Sequence, residues 1–270
     1  MTVVHGIDAL DRSLGRLFVV VGVFDGLHRG HEYLLEQLRV AAAAGAARPA
    51  VITFDHHPDE ILTGSAPPLL CDPDERLVRL EAAGVAVTVV QTFDVALRET
   101  PFAAFVRGIA AGVDIAGFLM TPDSAFGYER GGTAVTVAAL GRELGYEVVV
   151  VPPLTIGGHS VSSSEIRAAI AAGRLADAAR LLGRPYSVVG HGSRVARDPA
   201  LSFAMPVALP PAGFYRVLVT DLDEAADLGR HEARIDAAGR LVLHGVWLGG
   251  PRYRVVFMRD QRSAATIRRS

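Results

Sequence analysis

Two histidines three residues apart, His28 and His31, stand in the stretch LFVVVGVFDGLHRGHEYLLEQL, residues 17–38. Residues 17–23 are an unbroken apolar run rich in β-branched side chains, the pattern of a parallel strand buried on both faces. Phe24, Asp25 and Gly26 follow, then His28, Arg29, Gly30 and His31. From there apolar residues recur at Leu34, Leu35, Leu38 and Ala42, the rhythm of an amphipathic helix. The spacing therefore predicts a strand, a glycine-hinged loop and a helix, with both imidazoles where the loop becomes the helix. A helix N-terminus offers unpaired N–H groups and a partial positive charge, which suit phosphate. Two imidazoles there can donate hydrogen bonds to phosphate oxygens that gain charge during group transfer. Gly22, Gly26 and Gly30 let backbone approach a bulky ligand. Neither histidine belongs to the helix's apolar stripe, so replacing one is expected to leave folding little changed. The plain alternative is a structural turn with two surface histidines. The familiar phosphate loops are absent: there is no GxxxxGK(S/T), and the glycine spacing is not GxGxxG.

A second cluster lies at VSSSEIR, residues 161–167. Ser162 followed three positions later by Glu165 fits a capping box, so this too reads as a helix start. The plain reading is a well-capped helix. The chemical one adds the hydroxyls of Ser163 and Ser164 and a guanidinium at Arg167, which can grip phosphate in a bidentate pair. Two helix N-termini serving one triphosphate make a sensible site.

These two stretches resemble the signatures of the HxGH nucleotidyltransferases, and more closely the adenylyltransferase module of the bacterial bifunctional riboflavin kinase/FAD synthetases. GVFDGLHRGH carries His28-x-Gly30-His31. VSSSEIR is similar to the family's ISSTxIR, with Ser164 in place of threonine. Between them TFDHHPDEIL resembles TFxPHP, with His56 where proline is usual and His57-Pro58 retained. TPDSAFGYERGGTAVTVAALGREL resembles the segment that brings a polar residue and Phe-Gly near the nucleotide; Asp123 takes the polar place and Ser124 replaces a common aromatic. The likeness runs from about residue 18 to residue 183.

The resemblance implies transfer of AMP from ATP to the phosphate of FMN, giving FAD and pyrophosphate. It assigns His28, His31, Ser163, Ser164 and Arg167 to catalysis on the triphosphate. Gly22, Phe24, Asp25, Gly26, Gly30, Asp123 and Ser162 would bind the nucleotide, and Phe54, His57, Phe126 and Tyr128 the acceptor, whose flat ring suits apolar faces. Mg²⁺ would arrive with ATP, held by phosphates and water; no protein ligand is assigned to it. Two alternatives stay open. The same chemistry could serve a different phosphate acceptor or nucleotide, given the residues at 56 and 124. Or the chain could be a non-catalytic flavin- or nucleotide-binding protein.

The elements that must position these residues follow from periodicity. Strands are expected at residues 49–54, 85–91, 117–120 and 147–151, and helices at 72–83, 101–111, 133–144 and 175–182. Alternation at this pace predicts a Rossmann-like parallel α/β sheet with ligands beyond the strands' carboxyl ends. After Gly183 the texture changes to short strands at 186–191, 203–209, 214–221, 231–236, 241–247 and 252–258, which suggests a small antiparallel β-barrel. The expected domains are thus 1–183, the nucleotidyltransferase, and 186–270, the barrel. LPPAGFYRVLV and WLGGPRYRVVFMRD resemble the family's kinase module in degenerate, shortened form. Its GxPTAN segment is replaced by ALSFAMPVAL, and Glu232 is the only candidate for the kinase carboxylate. Kinase activity is therefore expected to be lost.

Composition narrows the partners. Of the 270 residues 50% are apolar and 21% charged, the formal charge is −2, and all 27 basic residues are arginine. That is an ordinary globular balance, and no basic stripe with interleaved aromatics invites nucleic acid. Cys71 is the one cysteine, which excludes an internal disulfide. No apolar run approaches the ~18 residues of a membrane span. The start MTVVHGIDAL lacks a signal peptide's pattern, so the cytoplasm is expected, with self-association weak if present.

Overall fold

The computed structural model describes residues 1–195, 198–246 and 251–258. In chain order the elements are β1 (Thr2–His5), β2 (Arg16–Val21), α1 (Arg29–Ala44), β3 (Arg48–Phe54), α2 (Asp59–Thr63), α3 (Pro73–Ala82), β4 (Val87–Gln91), α4 (Val95–Glu99), α5 (Phe102–Gly112) and β5 (Asp114–Met120). There follow β6 (Ala125–Phe126), β7 (Gly132–Thr133), α6 (Ala134–Leu144), β8 (Glu147–Val150), β9 (Thr155–Ile156), β10 (His159–Ser160), α7 (Ser163–Ala171) and α8 (Leu175–Leu182). The last six are strands: β11 (Ser187–Val195), β12 (Asp198–Ser202), β13 (Gly213–Asp221), β14 (Ala226–Ile235), β15 (Leu241–His244) and β16 (Arg252–Phe257).

The chain forms two compact units, one of residues 1–67 and 76–161, the other of residues 68–75 and 162 onward. The first is built on a six-stranded parallel sheet in the order β1-β4-β3-β2-β5-β8. Alternate residues of β2 enter opposite cores. Leu17 and Val19 join Phe105, Ile109 and Val137 of α5 and α6, whereas Phe18 and Val20 join Leu35 and Leu38 of α1 and Leu80 of α3. A strand covered on both faces has to be apolar throughout, which is why residues 17–21 read as a continuous run. From β2 the chain steps outward to β3 and β4, then returns to β5 on the other side. The crevice beyond the carboxyl ends of β2 and β5 is thus the topological switch point, where open α/β sheets bind ligands.

In the second unit six antiparallel strands close a barrel in the order β11-β12-β15-β14-β13-β16. Ile166, Ile170, Leu175 and Leu182 of α7 and α8 share one core with Tyr186, Val217, Leu241 and Tyr253 of the barrel. The division by packing therefore falls between Val161 and Ser162, ahead of the change in sequence texture at Gly183.

The parallel α/β sheet and the six-stranded barrel are as expected, and three details differ. Strand β1, with three of its four residues exposed, has no apolar pattern to announce it. Residues 203–209 are not a barrel strand; the second strand is Asp198–Ser202 instead. Pro206 cannot donate to a ladder, and Val207 makes only an isolated parallel bridge to Leu69. The fifth barrel strand ends at His244, and its expected end at Trp247 lies outside the described residues. Among the described residues no helix is long and apolar enough to cross a membrane.

Candidate active site

The turn after β2 is wound tightly. Phe24 and Leu27 adopt left-handed conformations (φ 52° and 31°), as does Gly26 (φ 81°), and the Leu27 N–H closes the turn on the Phe24 carbonyl at 3.4 Å. Phe24 and Asp25 are buried in it. Non-glycine residues held there cost energy and collect at functional sites. The turn delivers His28 to the N-cap of α1, where Nδ1 accepts the His31 N–H at 3.2 Å. A side chain at the N-cap that takes a backbone N–H stabilises the helix. His28 therefore contributes to folding, which corrects the expectation that neither histidine matters to it.

With Nδ1 accepting, the N–H of a neutral His28 ring is on Nε2. The His28 and His31 rings stack with centroids 3.7 Å apart and planes inclined by 15°. Phe24 packs on His31 at 5.0 Å. Nδ1 of His31 is sealed from solvent and has no hydrogen-bond partner, although the residue keeps some exposure. Burial first, and the neighbouring His28 second, hold its pKa well below the usual 6.5. The His31 ring can thus meet an anion as a neutral hydrogen-bond donor. Gly30 is required by closeness: a Cβ there would lie 3.1 Å from the His28 ring and 3.1 Å from the Val161 carbonyl oxygen.

A cavity of about 670 Å³ opens beside this turn, lined by Gly22, Phe54, His57, Asp123, Phe126 and Tyr128 among others. The structure thus brings together two of the expected nucleotide residues and all four expected acceptor residues. His28, His31, Phe24, Asp25, Gly26 and Gly30 do not line it; they adjoin it through Gly22, whose Cβ would stand 3.1 Å from the Phe24 ring. Phe54 meets Phe93 edge-on at 5.3 Å, and Phe126 stands 5.8 Å from Phe105 and 6.1 Å from Phe118. Both rings anchor in the core and give their remaining surface to the cavity. His57 accepts the Asp59 N–H at 3.2 Å, and the Asp123 carbonyl accepts from Arg130 at 3.1 Å. Ser124 closes its own turn, its hydroxyl lying 2.7 Å from that of Thr121.

Several residues of this unit to which the sequence assigns no role tie the site's loops together. Thr53 and Arg76 both donate to the Val23 carbonyl, at 3.0 and 3.2 Å, and Arg76 also donates to the Phe54 carbonyl at 2.7 Å. Asp55 accepts the Phe93 N–H at 3.2 Å, tying the ends of β3 and β4. Burial alone would raise its pKa, but hydrogen bonds from Thr92, Phe93 and His56 outweigh it and leave the carboxyl below 3.8.

The second motif stands in the other unit. Ser162 caps α7 by accepting the Glu165 N–H at 3.2 Å. Ser163 opens the helix, Ser164 is exposed on its first turn, and Arg167 donates through Nε to the Pro68 carbonyl at 2.8 Å. That bond fixes the guanidinium plane one turn into the helix. Among the described residues no three His, Cys, Asp or Glu side chains gather as a metal cage.

A bifunctional riboflavin kinase/FMN adenylyltransferase of Pseudomonas fluorescens is 30% identical over 202 residues, covering 73% of this chain and 65% of that protein. The match thus spans just under two thirds of that relative's length. The protein of the same description from Escherichia coli is 30% identical over 234 residues, 83% of this chain and 75% of that one. A solved structure described as a macrolide-efflux protein from Streptococcus pneumoniae shares the fold, with a TM-score of 0.79 at 23% identity over 95% of this chain and 98% of that chain. The model of the FAD synthetase family matches residues 11–165, which take in both histidines, the whole aromatic cavity and the cap of α7. The chain belongs to the FAD synthetase family.

Proposed function

We propose that the protein transfers AMP from ATP to the phosphate of FMN, forming FAD and pyrophosphate. The observation that carries this is the stacked His28–His31 pair capping a 16-residue helix, next to an aromatic cavity of flavin size in the same unit. An FMN phosphate oxygen attacks the α-phosphorus, the bond from that phosphorus to the bridging oxygen breaks, and pyrophosphate leaves with the electron pair. No protein nucleophile is needed, so the protein's part is positioning and charge stabilisation. His28 Nε2–H and the His31 ring donate to phosphate oxygens as the pentacoordinate centre gains charge. Ser163, Ser164 and Arg167 are assigned to the departing β- and γ-phosphates, and Ser162 to holding the start of α7. Gly22 and Asp123 are assigned to the adenosine, and Phe54, His57, Phe126 and Tyr128 to the flavin. Mg²⁺ belongs to the substrate complex and serves to neutralise phosphate charge.

FMN, not riboflavin, is the usable flavin in this reading. A kinase must hold a metal–phosphate complex and set a base beside the attacking hydroxyl. Here residues 204–207 offer no hydroxyl or amide side chain. The segment's backbone is instead engaged by Leu69, whose N–H donates to the Pro206 carbonyl at 2.8 Å. Glu232 lies on the exposed face of β14, paired with Arg216 and His244 across the sheet. A second acceptor keeps one specific support: Ser124, a small side chain in place of the aromatic that the resemblance implies, lines the cavity. Incubation with ATP, Mg²⁺ and FMN, followed by chromatography, tests the proposal. FAD formation is the expected result; absence of any adenylylated flavin would refute it.

A further inference from the structure

Arg76 reads from the sequence as an ordinary charge on the helix α3, yet its guanidinium is put where an ion is hardest to keep. The residue is only 6% exposed. A buried charge is costly unless its hydrogen bonds are well met, and arginine cannot shed its proton to escape. Among its partners are two backbone carbonyls at the rim of the sheet, Val23 beyond β2 and Phe54 at the end of β3, at 3.2 and 2.7 Å. Thr53, fully buried, donates to the same Val23 carbonyl at 3.0 Å. Two donors therefore hold that oxygen, and turning the plane of the peptide joining Val23 to Phe24 would break both bonds.

That peptide sets the left-handed Phe24 (φ 52°). The Phe24 ring packs on His31 at 5.0 Å, and His31 stacks on His28 at 3.7 Å. We infer that Arg76, with Thr53, is a positioning residue: it locks the Val23 carbonyl, holds Phe24 in its strained turn, and so fixes the two imidazoles in register. This rests on the assignment of the histidines to the triphosphate. A simple tether between strands would need neither the fork of a guanidinium nor a second donor on the same oxygen.

The test uses the full-length protein and three variants, Arg76→Lys, Arg76→Met and Thr53→Val. Arg76→Met should lower kcat by on the order of 10–10²-fold, the scale of a small misplacement of catalytic groups, with KM for ATP changed far less. Arg76→Lys, which keeps the charge but loses the fork, should recover part of that loss. In a His31→Ala background Arg76→Met should cost much less than in the wild type, because groups acting as a unit are not additive. Losses that multiply fully would overturn the inference, as would unchanged kcat in a folded Arg76→Met. If Arg76→Met fails to fold, Arg76→Lys and Thr53→Val carry the test. Imidazole nitrogen NMR signals of His28 and His31 should shift in both, and unshifted signals with wild-type kcat would sink the idea. Those signals need no turnover. If the wild type forms no FAD, the functional proposal fails while the NMR arm still decides the role of Arg76.

Discussion

Gly30→Ala should separate activity from stability more cleanly than any other single change. The added Cβ would lie 3.1 Å from Cε1 and Nδ1 of His28 and 3.1 Å from the Val161 carbonyl oxygen. Ordinary contacts of this kind begin near 3.5 Å, so something must give by a few tenths of an ångström. The carbonyl is backbone, so the imidazole moves. The Nδ1 cap on the His31 N–H is already 3.2 Å long, at the far end of the hydrogen-bonding range, and the same displacement breaks it. Loss of an N-cap costs roughly 1 kcal/mol, whereas alanine gains up to about 1 kcal/mol over glycine within a helix. The two nearly cancel, and a residual of about 1 kcal/mol would move the Tm by roughly 2–4 °C in a chain of this size. Catalysis has no such compensation. An imidazole out of register should lower kcat by on the order of 10–10²-fold. Steady-state FAD formation and calorimetry on the same preparation check both halves. Wild-type kcat in Gly30→Ala would refute the claim that the His28 position is set this closely.

Other outcomes follow from the same geometry. His28→Ala and His31→Ala should each slow turnover by about 10²–10³-fold. Only His28→Ala should also lose about 1 kcal/mol of stability, since only His28 caps α1; equal Tm values for the two would contradict this. The depressed pKa of His31 means the unfolded chain binds the extra proton first as pH falls. Its contribution is therefore complete above 6.5 and lost as pH drops from there toward the lower folded value. A bound triphosphate favours the protonated ring, so ATP should move the His31 titration upward from its depressed position, visible in its imidazole NMR signals; an unshifted titration would contradict the contact. Riboflavin with ATP, Mg²⁺ and excess protein should give no FMN over hours, and steady FMN formation would overturn the reading of residues 204–207 and Glu232.

Much of the first unit was legible because its physics is local. A strand buried on both faces must be apolar at every position, and a helix on a sheet must repeat its apolar residues every three to four. Residues 17–21 and Leu34, Leu35 and Leu38 obey those rules in plain sight. Strand β1 was invisible because an exposed four-residue edge strand needs no apolar pattern. The second barrel strand was misplaced for a related reason: FAMPVAL is more apolar than the true strand DPALS, yet Pro206 bars it from the ladder. The site divides along the same line. His28, His31 and Gly30 announce themselves by spacing, and Phe54, His57, Phe126 and Tyr128 by flanking motifs. That His28 caps its helix could not be read, since histidine is not a usual cap residue. Thr53 and Arg76 were hidden because one reads as a strand residue and the other as a helix charge, and the carbonyl they share with each other is set by the fold alone.

The central claim is that the α-phosphorus of ATP moves to the flavin. Two incubations with FMN and Mg²⁺ decide it, one with ATP labelled at the α-phosphorus and one at the γ-phosphorus. The expected result is α-label in FAD and γ-label in pyrophosphate, with His31→Ala abolishing most of both. Label from the γ-phosphorus in any flavin, or α-label that stays in ATP, ADP or free AMP, would contradict it.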